Sequence, residues 1–194
     1  MTRRPRGQLR QEILEVVTQL LLDAGTPEGV SIDSVVDRVG CTPPALYYYF
    51  PTKADLLREA CMLQYQRLAE DLNAASSEAP DPVGELRERG LALMRWARTH
   101  PALYRVLFMS VQADTMPGSK IWEQPGLDDL TVNIERGIAA GVLKPVDVSL
   151  TALSLWGLVH GYAAIAVSFP MIPMELLEGA FAVSGRPTME SLLV

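Results

Sequence analysis

The stretch Leu46-Tyr47-Tyr48-Tyr49-Phe50-Pro51-Thr52-Lys53 decides how this chain is interpreted. Three consecutive tyrosines carry too much apolar area for an ordinary surface and too many hydroxyls for a core, so at least one hydroxyl is expected to contact a partner. Pro51 disfavours helical geometry at Phe50 and ends the preceding helix. Thr52 and Asp55 match a capping box that starts the next helix. Aromatic rings, a helix end and a lysine this close together indicate a surface shaped to a phosphate backbone.

The bulk composition suits a soluble protein with one compact domain, or with a small domain joined to a larger one. The chain has 194 residues, of which 48% are hydrophobic and 21% charged. No signal peptide is visible, so a cytoplasmic location is expected. Cys41 and Cys61 lack the spacing of a metal site and are interpreted as small, reduced core residues. Since no catalytic triad or phosphate-binding glycine loop is recognisable, the sequence predicts no enzyme, cofactor or metal site.

The net charge of −6 is distributed unevenly along the chain. Residues 1–10 contain four arginines and no acidic residue, whereas residues 11–60 contain three basic and eight acidic residues. The remainder has ten basic and fifteen acidic residues. Basic charge is therefore concentrated in a short N-terminal arm, which is compatible with a local DNA footprint but does not require one.

Nearly every periodic segment has helical spacing, and none shows sustained strand alternation. The predicted fold is all-α with about nine helices. Gly25 and Gly40 are expected to end helices, and Ser31 to cap the start of one. The predicted helices cover residues 9–24, 32–39, 43–49, 53–72, 82–99, a short piece at 103–107, 127–140, 147–169 and 174–183. Residues 110–126 are expected to form a loop, and the tail after Gly185 is expected to be loose.

The second and third predicted helices, joined by Gly40-Cys41, have the lengths of a helix-turn-helix. The continuation Gly40-Cys41-Thr42-x-x-Ala45-Leu46-Tyr47-Tyr48-Tyr49-Phe50-Pro51-Thr52-Lys53-x-Asp55-Leu56-Leu57 resembles the signature of the TetR (tetracycline-repressor) family of transcriptional regulators. The likeness extends over roughly residues 8–60. It implies a DNA-binding domain at 1–52, with a flexible arm at 1–7, and a ligand-binding and dimerisation domain at 53–194.

The resemblance also implies roles for individual residues. Tyr47 should donate its hydroxyl to a DNA phosphate, and Lys53 should contact the same backbone. Ser31, at the start of the second helix, can add a phosphate contact. Base contacts should come from Thr42, Pro43, Ala45 and Tyr48. Leu46 and Phe50 should pack in the core, while Tyr49 is as suited to packing as to DNA contact.

The recognition helix carries no Arg, Asn or Gln for a bidentate base contact. Only thymine-methyl packing and hydroxyl contacts remain, which leads to the hypothesis of an operator rich in thymine at the contacted positions. The arginines of the arm, Arg3, Arg4 and Arg6, either enter the minor groove or form a solvated tail.

The segment from Leu150 to Phe169 is apolar nearly all round and contains a GxxxG motif. That pattern fits a transmembrane dimer or a buried helix serving core and dimer. Internal polar residues and the lack of flanking basic clusters favour the second interpretation. The resemblance implies a four-helix bundle between two copies. The residues expected in this interface are Trp156, Gly157, Gly161, Leu176 and Phe181.

The piece Trp156-Gly157-x-x-His160-Gly161 resembles a C-terminal subtype of the family marked by a Trp…His-Gly motif. Ligand-responsive members hold an effector among the middle helices, and sparse charge here implies a hydrophobic or aromatic one. For each candidate lining residue taken singly, ordinary core packing is the favoured interpretation. These candidates are Met94, Trp96, Tyr104, Phe108, Met109, Trp122 and His160.

The function expected from the resemblance is a homodimeric repressor released from operator DNA by a small molecule. The alternative is a helical interaction or scaffold protein that has lost ligand response or specific DNA reading.

Overall fold

The computed structural model describes residues 7–109 and 126–194, and its regular structure within these ranges is helical. This confirms the predicted all-α fold. The helices are α1 Gln8–Ala24, α2 Ile32–Val39, α3 Pro43–Tyr49, α4 Lys53–Ser76, α5 Pro82–Thr99, α6 Pro101–Tyr104, α7 Leu127–Ala139, α8 Val148–Ser168 and α9 Met174–Leu192. A short 3₁₀ turn, Pro27–Gly29, follows α1, and a π-helical turn, Arg105–Met109, follows α6.

The helix ends follow the local signals in the sequence. Gly25 and Gly40 adopt the left-handed conformation, with φ of 73° and 68°, and their N–H groups bond to the carbonyls of Leu21 and Val36. The Ser31 side chain accepts a hydrogen bond from the Ser34 N–H at the start of α2, as predicted.

The C-terminal helix extends further than the sequence indicated. The prediction ended it near Val183 with a loose tail, but α9 continues to Leu192 and includes Pro187. Tertiary contacts explain the extension: Leu192 is buried, and its carbonyl accepts from the Lys144 N–H at 2.8 Å. The Val194 N–H then donates to Val142 O at 3.2 Å. This docking outweighs the hydrogen bond that a proline removes from a helix interior.

Two further expectations concern single segments. Of the loop predicted at 110–126, residues 110–125 lie outside the described residues, and Gly126 caps the start of α7. The expectation that both cysteines are core residues is right for Cys61, which is buried, and wrong for Cys41, which is partly exposed. Burial raises the pKa of the Cys61 thiol to about 11.

The chain divides into two compact units. Within its described residues, the first contains 7–66 and 102–109. Its core is formed by fully buried apolar side chains from α1 to α4, among them Ile13, Val17, Val35, Leu46, Phe50 and Leu56. The Tyr65 hydroxyl donates to the Leu107 carbonyl at 2.6 Å, which attaches the π-helical turn to α4. The boundary predicted between residues 52 and 53 separates DNA binding from ligand binding and dimerisation, and it stays a prediction.

The second unit contains 67–101 and, within its described residues, 126–194. In it α8 contacts α5, α7 and α9. One core cluster joins Leu86, Leu127, Ile134, Leu143, Ala152 and Leu192. The Arg98 guanidinium donates to the carbonyls of Ala166, Pro170 and Ile172 and so satisfies the C-terminal end of α8.

Among the described residues, α8 is the one helix whose length and composition would suit a membrane span. A third of its most apolar window is buried against the rest of the protein. Its contacts with three other helices agree with the interpretation of α8 as a packed bundle helix.

Candidate nucleic-acid interface

The helix-turn-helix is formed by α2 and α3, and both contact α1. Gly40 makes the turn because its left-handed φ is one that side chains rarely adopt. Leu46 and Phe50 are 0% exposed, so they fix α3 in the core as predicted. A buried inner face leaves the opposite face of α3 free for a partner.

Tyrosines dominate the C-terminal half of that free face. Tyr47 is 43% exposed and Tyr48 is 82% exposed, whereas Tyr49 is partly buried. The Tyr48 ring meets the Tyr49 ring edge-to-face, with centroids 5.1 Å apart, and Tyr49 in turn contacts Phe50 at 6.5 Å. A chain of aromatic contacts therefore runs from the buried core to the exposed Tyr48 ring.

The N-terminal half of the free face is formed by Thr42, Pro43 and Pro44, which are all exposed. Thr42 occupies the N-cap position but makes no capping hydrogen bond with its side chain. Its carbonyl instead accepts from the N–H groups of Ala45 and Leu46 at 3.0 and 3.1 Å. Ala45 is partly buried, so of the four predicted base-contacting residues it is the least accessible.

Lys53 is the first residue of α4. Thr52 caps that helix, since its hydroxyl oxygen accepts from the Asp55 N–H at 3.0 Å, and the hydroxyl lies 2.7 Å from an Asp55 carboxylate oxygen. Hydrogen bonds from Thr52 and Arg58 hold the pKa of Asp55 below its ordinary value. A cation at a helix N-terminus opposes the helix dipole, by about 0.3–1 kcal/mol at an exposed site. The position of Lys53 therefore suggests a role outside the fold.

The other basic residues of the described 7–66 segment are neutralised within the chain. Arg10 pairs with Glu59, Arg58 with Asp55, and Arg38 with Asp23 at 3.2 Å. Within that segment, Lys53 makes no ion pair. Among residues 7–66, Lys53 is thus the one cation that makes no ion pair, and it lies four residues after Tyr49, the last residue of α3.

Ser31 is exposed at the start of α2, and its hydroxyl lies 2.7 Å from the Ser34 hydroxyl. The oxygen already accepts the capping bond from Ser34 N–H, so it can serve a phosphate only by donating its proton. The predicted contact is compatible with this geometry when Ser34 donates to Ser31.

The predicted effector residues fall in both units. In the first, Tyr104 is buried while Met109 is exposed, and Phe108 lies 5.2 Å from Tyr104 and 5.5 Å from Tyr65 between ring centroids. Burial raises the pKa of Tyr104 to about 12. This part of the set is an aromatic cluster.

In the second unit, Met94 is buried, and Trp96 stacks on the exposed His100 at 5.0 Å. His160 lies 4.1 Å from Trp156 between ring centroids, and burial lowers the pKa of His160 to about 4. The histidine is therefore neutral at pH 7. Trp122 lies outside the described residues.

The residues predicted for the dimer interface separate into two groups. Gly157, Gly161 and Leu176 lie on exposed faces of α8 and α9. Trp156 packs instead against the core of the second unit. Phe181 also packs inward, since a Cβ added at Gly90 would lie only 2.8 Å from its ring.

Of two continuous exposed stripes of small and apolar residues, Gly157, Gly161 and Leu176 were named from the sequence and the other members were missed. On α8 the stripe comprises Leu150, Ser154, Gly157, Gly161, Ile165 and Ser168. On α9 it comprises Leu176, Gly179, Val183 and Pro187. The spacing of three and four residues was visible in the sequence, but all-round apolarity hid which face is exposed. Pro44 was not predicted as a contact residue, although it is exposed beside Pro43 in the first turn of α3.

Comparison with known proteins agrees with this architecture. Residues 13–60 match the family model for bacterial regulatory proteins of the tetR family. Residues 86–181 match the model for the tetracyclin repressor-like C-terminal domain. The chain belongs to the TetR family of DNA-binding transcriptional regulators. Members of this family bind operator DNA, act as dimers and are generally non-enzymatic.

Solved structures share the fold. A protein from Syntrophomonas wolfei, assigned to the TetR family, has a TM-score of 0.77 at 21% identity and covers 98% of this chain and 99% of its own. A TetR family transcription regulator from Marinobacter aquaeolei has a TM-score of 0.69 at 20% identity, covering 95% of each chain. Nucleoid occlusion factor SlmA from Photobacterium profundum is 24% identical over 157 residues, which are 78% of this chain and 80% of that protein.

Proposed function

We propose that this protein is a homodimeric repressor whose α3 enters the major groove of its operator. Residues 1–52 would bind the DNA, and residues 53–194 would form the dimer and respond to a ligand. Tyr47 donates a hydrogen bond to a backbone phosphate, Lys53 neutralises a phosphate beside it, and Ser31 adds a third phosphate contact. The observation that carries the proposal is the single uncommitted cation of the 7–66 segment, which starts α4 directly after the exposed tyrosines. Phosphate contacts of this kind fix the register of α3 on the duplex.

The proposed dimer uses the exposed stripes of α8 and α9. At Gly157, Gly161 and Gly179 a Cβ would meet no atom within 4 Å, so none of the described residues of the protomer covers these glycines. A second copy of the same helices can approach closely there, and burying both stripes would remove Leu150, Ile165 and Val183 from water. A two-fold dimer then presents two copies of α3 to half-sites about one helical turn, 34–36 Å, apart.

The proposed effector is hydrophobic or aromatic and acts by favouring a dimer that no longer matches the operator spacing. Within the second unit the candidate lining supports this, since His160 is buried beside Trp156 and neutral at pH 7. Organic extraction of the purified protein followed by mass spectrometry would identify a retained ligand. The ligand proposal fails if compounds that bind the protein never weaken operator binding.

The test of DNA binding is fluorescence anisotropy with DNA from upstream of the protein's own coding region. Specific binding is expected, and it should weaken in Lys53→Ala without a change in the thermal unfolding midpoint. If the protein binds this DNA without specificity and selects no site from randomised DNA, the alternative of a helical interaction protein is favoured. A protein acting on DNA in this way is expected in the cytoplasm.

The SlmA relatives suggest a second candidate function, DNA binding that serves nucleoid occlusion. Chromatin immunoprecipitation separates the two candidates. A repressor should occupy a few promoters whose transcripts rise on deletion of the protein, whereas an occlusion factor should occupy many chromosomal sites without such changes.

A further inference from the structure

The DNA-facing surface of α3 is unusually poor in hydrogen-bond donors, and this has a consequence for operator sequence. A helix normally offers unsatisfied N–H groups in its first turn. Here the first two positions are Pro43 and Pro44, which have no N–H. The next two N–H groups, of Ala45 and Leu46, bond to the Thr42 carbonyl. Residues 43–46, the first turn of α3, therefore offer no backbone donor that is free to reach a base or a phosphate.

The side chains of the same surface offer little more. Its exposed members are Thr42, Pro43, Pro44, Tyr47 and Tyr48. Their polar groups are three hydroxyls, and a hydroxyl contacts several bases without distinguishing them as a bidentate amide or guanidinium does. One of the three, on Tyr47, is assigned above to a phosphate. What remains is apolar area: two proline rings and the Tyr48 ring, with Pro44 four residues before Tyr48 on the same helix face.

The Tyr48 ring is held in a defined position although it is 82% exposed. Its edge-to-face contact with Tyr49, at 88° and 5.1 Å, connects it to Phe50, which is fully buried. A supported ring loses little conformational freedom on binding. An exposed apolar surface of this kind marks a contact site.

In the major groove, the base group that apolar side chains contact is the 5-methyl group of thymine. We propose that this protein selects its operator by packing Pro44 and Tyr48 against thymine methyl groups, with Tyr48 as the principal specificity-determining residue. This inference rests on the proposed DNA-binding function. It assigns base selection to a van der Waals contact, whereas Tyr47 and Lys53 supply affinity without sequence preference.

The test compares thymine with uracil, which differs from it only by the methyl group. Full-length protein is first used to select operators from randomised DNA. Each thymine of the selected site is then replaced by uracil in both half-sites, and the dissociation constant is measured. At one or two positions we expect operator affinity to fall by about fourfold for each methyl group removed, or by about fifteenfold when the methyl is removed from both half-sites. This is the loss expected when one buried methylene-sized group is removed from each half-site.

Variants of the intact chain assign the effect. Tyr48→Ala should weaken binding to the thymine operator and abolish the difference between thymine and uracil, whereas Tyr48→Phe should retain that difference. Tyr47→Phe is the matched control and should weaken both operators equally. Because Tyr48 is highly exposed, Tyr48→Ala should keep the wild-type thermal unfolding midpoint.

Three outcomes overturn the inference. Specific binding with no position sensitive to uracil by more than about twofold, well below the loss expected for a buried methyl, contradicts methyl reading while leaving the DNA-binding proposal intact. A thymine preference unchanged in Tyr48→Ala contradicts the assignment to Tyr48. Failure to select any operator removes the proposed function and the inference together.

Discussion

Two exposed apolar surfaces of this protein differ in the size of their side chains. The surface of α3 presents bulky rings: Tyr48 is in edge-to-face contact with Tyr49, and Pro44 lies one helical turn before it. The stripe of α8 presents Gly157 and Gly161 with small and aliphatic neighbours. Rings that project from a helix suit a groove, while glycines suit the close approach of another helix. Side-chain size, more than apolarity, therefore indicates which partner each surface binds.

The largest expected effect comes from charging the small-residue stripe. Gly161→Glu places two carboxylates near each other in the proposed dimer, and like charges in an interface cost several kcal/mol, so dimer affinity should fall by more than about a hundredfold. Glu is a better helix former than Gly by about half a kcal/mol, so the protomer should stay folded. Analytical ultracentrifugation reports the dimer and anisotropy reports the lost operator binding.

Val132→Glu is the matched control for this variant. Val132 is an exposed apolar residue of α7 and belongs to neither stripe, so its replacement should leave the dimer intact. If Gly161→Glu remained dimeric at the same concentration as the wild type, the α8 stripe would not be the interface.

The next largest effect comes from removing the charge of Lys53, which follows the exposed tyrosines of α3. Lys53→Ala should remove one phosphate contact per subunit and lower operator affinity by about 10- to 100-fold near 0.1 M salt. Each lost contact reduces the slope of log K against log salt by about 0.9, so the dimer slope should fall by about 1.8.

Arg38→Ala is the control for Lys53, because Arg38 is an exposed cation already paired with Asp23. Its salt slope should equal that of the wild type. Equal salt slopes for Lys53→Ala and the wild type would show that Lys53 binds no phosphate and contributes no charge to DNA binding next to α3.

The local features of the DNA-binding half could be predicted from the sequence because their causes lie within a few residues. The Gly40 turn, the Ser31 cap, the Pro43 start and the Thr52 cap each depend on near neighbours. The extension of α9 through Pro187 could not, since it depends on packing of Leu192 and on hydrogen bonds to residues about fifty positions earlier.

The two faces of α8 were equally hard to separate from sequence. Trp156 was expected in the interface, and the structure shows that it is partly buried, packed against the core cluster of the second unit and close to Gly126 at the start of α7. When a helix is apolar all round, periodicity carries no direction, and only the neighbouring helices determine which side is covered.

The buried face of α8 has its own test. Burial lowers the pKa of His160 to about 4, against about 6.5 in the unfolded chain, so the unfolded state binds more protons between these values. The stability that the neutral ring contributes is complete above about pH 6.5 and falls as the pH drops towards 4, by about 3 kcal/mol. The free energy of unfolding, measured with urea between pH 7 and 4, should decline less in His160→Gln than in the wild type.

His100→Gln is the control here, because His100 is the other histidine of the chain and is exposed. It should decline in parallel with the wild type. If the free energy of unfolding fell as steeply in His160→Gln as in the wild type, the pKa of His160 would not be lowered by folding.

The smallest effect is expected from removing one hydroxyl from the exposed face of α3. Tyr47→Phe removes the proposed phosphate donor and keeps the ring, so each half-site loses a hydrogen bond worth about 0.5–1.5 kcal/mol. Operator affinity should fall uniformly across sequences, with the salt slope unchanged because no charge is removed. Tyr49→Phe is the matched control, since Tyr49 is partly buried against Tyr48 and Phe50 and its hydroxyl has no proposed role. Equal affinities for both variants would mean that the Tyr47 hydroxyl makes no phosphate contact, which leaves Lys53 and Ser31 as the proposed phosphate-binding residues.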